Sequence, residues 1–125
     1  QAGAVTIAAH GAGLQVLAGA PNLVRGGSHS GNVAAVDLAR AGVLDALSSD
    51  YVPSSLLLAA FQLGDWESIG LPRAIAMVTR TPARSVGYRD RGEIAPGLRA
   101  DLLRVRVLRG LPQVESVWIA GQQRY

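Results

Sequence analysis

Two short apolar segments, "LQVLAGA" at 14–20 and "LDALSSD" at 44–50, are each followed by polar residues and then by apolar residues at helical spacing. A nearly continuous apolar run of that length suits a strand covered on both faces. Such strands alternating with helices build βα units of a parallel sheet or barrel. The spacing predicts helices over 33–44, with Asn32 as N-cap, and over 52–63, opened by Pro53 and Ser54. "AVTIAAH" at 4–10 reads as the end of a helix stopped by Gly11 and Gly13. Residues 71–87 read as a helix pair broken at Thr81–Pro82. This predicts helix–strand–helix–strand–helix.

Past residue 87 the pattern changes. "GEIAPGLRADLLRVRVLRG" and "QVESVWIAGQQRY" carry alternating apolar positions (Leu103, Val105, Val107; Val114, Val117, Ile119) between turn residues. They predict an antiparallel β unit. The expected organisation is therefore an α/β portion over 1–87 and a mainly β portion over 88–125. Two parallel strands are too few for a stable open sheet. An eight-stranded barrel takes roughly 250 residues. A chain of 125 residues is then expected to be the end of something larger.

Composition excludes several classes. The chain is 49% hydrophobic with a mean hydropathy of +0.22, enough to bury a core. It has no Cys, hence no disulfide framework or thiolate metal site, which fits a reducing cytoplasm. No apolar run reaches the roughly 18 residues of a membrane span. The chain starts at Gln1 without a basic leader, so no signal peptide is expected. All twelve basic residues are Arg: two against three Asp in 1–62, ten against six acids in 63–125. These Arg are interleaved with carboxylates and aromatics are 5%, so no nucleic-acid partner is expected.

The candidate chemistry sits after the two strands. "GAPNLVRGGSHSGN", 19–32, is about twice the usual connection length and runs from a strand to a helix start. Free N–H groups there favour an anion. Gly26, Gly27 and Gly31 let the backbone approach closely, and Arg25 offers a fork to phosphate. Ser28, His29, Ser30 and Asn32 add hydrogen-bonding groups. No Gly-Lys-Ser/Thr ends the loop, so it is not a P-loop. A glycine-rich connector with a capping Asn accounts for the same residues equally well, and a loop histidine is more often solvated than a ligand. Asp50 ends the second strand, where a carboxylate binds metal or takes a proton in barrel enzymes. An exposed turn-capping Asp is the equal alternative. His10 at a helix end favours the dipole. Trp66 and Trp118 read as packing residues. Two His, six Asp and three Glu without an HxH or HExxH motif do not promise a complete zinc site.

"GEIAPGLRADLLRV" resembles the Gly-x-Ile-x-x-Gly-x-x-Ala-Asp-Leu segment that closes many amidohydrolase-superfamily enzymes. "GAPNLVRGGSHSGN" followed by "LSSDYVPSSLL" resembles the last third of the alpha-D-ribose 1-methylphosphonate 5-triphosphate diphosphatase family of the carbon–phosphorus lyase pathway. The resemblance covers essentially the whole chain. It implies strands seven and eight of a (β/α)8 barrel in 1–87, and the last strands of a small β-sandwich in 88–125. It implies hydrolysis of a phosphoanhydride in a sugar triphosphate, releasing pyrophosphate, with a divalent metal such as zinc. Asp50 would be the strand-eight aspartate, binding metal and handling the proton of the attacking water. Arg25, Gly26, Gly27, Ser28, His29, Ser30 and Asn32 would then face the polyphosphate. The strand-one metal motif, the strand-four bridging group and the mid-barrel histidines have no counterpart, and there is no Lys to be carboxylated. Alone, the chain is expected to be inactive, to hold no metal, and to self-associate where the rest of the barrel belongs. The alternatives are an amidohydrolase acting on a C–N bond, or a non-catalytic interaction module.

Overall fold

The computed structural model describes residues 2–24 and 35–125. The chain divides into two compact units, Gln1–Val78 and Thr79–Tyr125. The described residues form a mixed α/β chain with two small sheets.

The first unit runs α1 (Ala2–Gly11), β1 (Leu17–Gly19), α2 (Ala20–Val24), α3 (Ala35–Arg40), β2 (Ala46–Ser48), α4 (Ser55–Gly64) and α5 (Leu71–Ala76). β1 and β2 pair in parallel, Leu17 opposite Ala46, Ala18 opposite Leu47 and Gly19 opposite Ser48. The pairing is anchored just before both strands. The Val16 N–H donates to Asp45 Oδ2 at 2.7 Å, and the Val16 carbonyl accepts from the Asp45 N–H at 2.9 Å. The other edge of β2 is not bare, since the Leu47 N–H donates to the Met77 carbonyl at 3.1 Å. Helices α2 and α4 pack together, as do α4 and α5. The core gathers Val16, Leu38, Leu47, Leu63, Ile69 and Met77 among others, with Leu63 fully buried. Close helix packing explains Gly64: a Cβ there would lie 2.9 Å from the Leu71 Cα.

Several boundaries differ from the expected ones. The strand expected over 14–20 is shorter, and the segment expected to open a polar loop at 21 instead forms α2. Pro21 is the second residue of that helix, where a missing N–H costs nothing. β1 was expected to be covered on both faces, yet Leu17 is exposed. The helix pair breaks at Met77–Thr79 rather than at Thr81–Pro82. Pro82 lies in the first turn of α6 (Arg80–Ser85), where its ring again displaces no hydrogen bond. The break falls where the Met77 carbonyl turns to meet β2.

The second unit follows α6 with β3 (Leu102–Leu108), β4 (Leu111–Ile119) and β5 (Gln122–Gln123), an antiparallel sheet in that order. Its turns are two residues long. Arg109 and Gly110 both have positive φ, as do Ala120 and Gly121, which a type I′ hairpin turn requires. The register places Leu103 opposite Val117, Val105 opposite Val114 and Val107 opposite Pro112 on one apolar face. A bulge shifts the register between Arg104 and Val105. Glu115, the extra residue on β4 at this bulge, receives both Arg104, at 3.2 Å, and Arg106, at 2.7 Å.

Candidate functional site

β2 delivers Asp50 just beyond its last residue. The backbone then turns: the Val52 N–H donates to the Ser49 carbonyl at 3.1 Å, and Asp50 takes a left-handed φ of 52° inside that turn. Asp tolerates this conformation better than most residues because its short side chain bonds locally. Buried Ser55 secures the exit by donating its hydroxyl to the Val52 carbonyl at 2.6 Å. The Asp50 carboxylate is thus held on an ordered turn rather than a loose loop, and the residue is exposed to solvent. It lies against the end of β1, where an ideal Cβ on Gly19 would fall 3.1 Å from Asp50 Oδ2. The ends of the two parallel strands therefore meet at this carboxylate.

Arg25, Gly26, Gly27, Ser28, His29, Ser30 and Asn32, the residues expected to face a polyphosphate, lie outside the described residues. The chain leaves α2 at Val24 and re-enters at Ala35 in α3, so both ends of that segment belong to the unit that carries Asp50. No three His, Cys, Asp or Glu side chains converge among the described residues. No helix among them is long and apolar enough to cross a membrane.

Opposite Asp50, at the start of the strands, a second polar group was not foreseen. His10 Nε2 sits 3.5 Å from Asp45 Oδ1, while Asp45 Oδ2 holds the Val16 N–H. The carboxylate ties the end of α1 to the start of β1. A signal existed in the sequence: Asp45 interrupts an otherwise apolar strand entry. Trp66 is partly exposed, with the Arg40 guanidinium 5.0 Å from its ring centre.

In the second unit the Asp of "RADLL" has a structural task. Asp101 Oδ1 accepts from the Ala120 N–H and from Arg99 Nε, each at 2.8 Å, bracing the β4–β5 turn. The Ala120 amide, and then Arg99, hold its carboxyl below the usual range. Arg91 likewise lowers Asp90 through a hydrogen bond at 2.9 Å, and its guanidinium stands 4.5 Å from the Tyr88 ring centre.

The chain is 50% identical over 113 residues to the alpha-D-ribose 1-methylphosphonate 5-triphosphate diphosphatase of Escherichia coli K12. The match covers 89% of this chain and 30% of that protein. A stretch of 29 residues, 23% of the chain, is 69% identical to imidazolonepropionase of Ruegeria sp. TM1040, covering 7% of it. A stretch of 55 residues, 44% of the chain, is 46% identical to adenine deaminase 2 of Desulfotalea psychrophila, covering 9% of it. The chain thus spans less than a third of the length of each of these relatives. No family model matches it, and no solved structure does.

Proposed function

We propose that the chain forms part of an amidohydrolase-type hydrolase whose substrate is a sugar triphosphate, alpha-D-ribose 1-methylphosphonate 5-triphosphate. In this reading β1 and β2 are strands seven and eight of a (β/α)8 barrel, and β3 to β5 belong to a small β-sandwich. The observation that carries it is the 50% identity over 89% of the chain. Wherever its ends fall, a match of that extent takes in both the polar segment 19–32 and Asp50. The protein would work in the cytoplasm, in phosphonate breakdown.

The chemistry asked of this chain is local. Water attacks phosphorus, a P–O bond forms, the anhydride P–O bond breaks and pyrophosphate departs. Asp50 Oδ receives the proton that the water loses. Arg25 and the backbone N–H groups after it hold the polyphosphate by charge-assisted hydrogen bonds. A catalytic metal takes about three protein ligands. Asp50 would supply one, and the others would come from beyond the described residues. When bound, a divalent ion would polarise the phosphoryl oxygen and acidify the water.

The test uses the full-length protein and phosphorus NMR of the triphosphate. Asp50→Asn keeps the shape but removes the basicity, so turnover should fall about 10²–10⁴-fold with little change in substrate affinity. Arg25→Ala should weaken calorimetric binding of the triphosphate roughly tenfold to hundredfold, and of a monophosphate analogue less. Ammonia from a C–N substrate with no pyrophosphate would instead favour the alternative that the deaminase similarity raises. The 125-residue chain alone should self-associate through its exposed apolar residues, such as Leu14, Leu17, Leu103 and Val107. A monodisperse monomer in sedimentation would count against the incomplete-barrel reading.

A further inference from the structure

We propose that Gly19 is a positioning residue: its missing side chain makes the space that fixes where the Asp50 carboxylate stands. Three observations converge on it. Gly19 closes β1 and pairs with Ser48, two residues before Asp50. A Cβ built on it would lie 3.1 Å from Asp50 Oδ2, 3.6 Å from the Asp50 Cβ and 3.7 Å from its Cγ. Gly19 is not among the residues with positive φ, so its backbone suits any L residue. Glycine is therefore needed here for room, not for conformation.

The backbone that carries Asp50 is fixed by its own turn, in which the Val52 N–H donates to the Ser49 carbonyl and the Ser55 hydroxyl to the Val52 carbonyl. A methyl group at position 19 can be accommodated only if the carboxylate moves by a few tenths of an ångström. Displacements of about 1 Å at a reacting group cost roughly 10²-fold in rate. The catalytic part of this inference rests on Asp50 being the proton acceptor; the packing part does not.

A double-mutant cycle in the full-length protein separates the two. Gly→Ala at an unstrained position raises the unfolding midpoint, by about 1–4 °C, through the unfolded chain. Gly19→Ala should do so in an Asp50→Ala background, where the methyl group meets no carboxylate. With Asp50 present the same substitution should lower the midpoint. The left-handed φ of residue 50 is common to both arms and cancels. Gly19→Ala should also reduce kcat about four- to tenfold at unchanged KM. Gly11→Ala, which has nothing within 4 Å and no positive φ, should leave kcat unaltered. Equal midpoint shifts with and without Asp50 would overturn the packing claim. Midpoint coupling with unaltered kcat, in a protein that Asp50→Asn inactivates, would overturn the positioning role. Full turnover by Asp50→Asn would remove the catalytic assignment itself, and the role of Gly19 in turnover with it.

Discussion

The two units are held together by different forces. Every buried hydrophobic side chain among the described residues lies between Val16 and Met77, in the first unit. The second unit buries only Ser116 to a comparable degree. It holds six of the seven ion pairs found among the described residues, the first unit one. The first unit has two strands of three residues each and depends on packing around them. The second has a hairpin of seven and nine residues whose order comes from backbone pairing, with an apolar face still open. Parallel strands cannot pair without a long crossover, so their unit must build a core first. An antiparallel hairpin pairs locally, and needs covering later.

The largest expected effect breaks this contrast at its centre. Leu63→Ala empties a fully buried position and should destabilise the first unit by about 2–5 kcal/mol. Leu103→Ala, at a residue 55% exposed, should cost far less. Urea unfolding of both variants compares them, and equal losses would mean that the second unit has a core after all. A smaller effect is expected on acidification. The Asp101 carboxyl is held low by the Ala120 amide and Arg99, so its contribution is full above the unfolded value of about 3.9 and fades as pH falls through the folded one. Protection of the Ala120 amide from hydrogen exchange, taken relative to the intrinsic rate at each pH, should fall there, and Asp101→Asn should blunt that pH dependence. The smallest effect belongs to Glu115. Arg104 and Arg106 are 65% and 62% exposed, so Glu115→Gln should cost only about 0–1 kcal/mol, and less in high salt.

The candidate site was legible in part. Asp50 could be singled out because a carboxylate directly follows an apolar strand. The left-handed turn that presents it could not, because "SSDY" carries no glycine to signal positive φ. Gly19 looked like one of four glycines in a polar connection. Its separate task depends on a residue 31 positions away, a distance that no local pattern expresses. Asp45 did interrupt an apolar strand entry, but its partners, His10 and Val16, come from the preceding helix and strand entry, which no local pattern names.

Local chemistry determined the order of elements, α2 excepted. Apolar runs became the parallel pair, alternating residues became the antiparallel hairpin, and helical spacing gave α4 and α5. These are properties of neighbours along the chain, and the sequence carries them whole. Tertiary structure decided where elements stop and what they meet. α2 begins at Ala20, which lies in the same core as Ala59 and Leu63 of α4, and the chain breaks after Ala76 where the Met77 carbonyl reaches β2. The carboxylate of Asp50 stands beside Gly19 only once β1 and β2 lie side by side. Such contacts join residues distant in sequence, and only the closing of the chain on itself brings them within range.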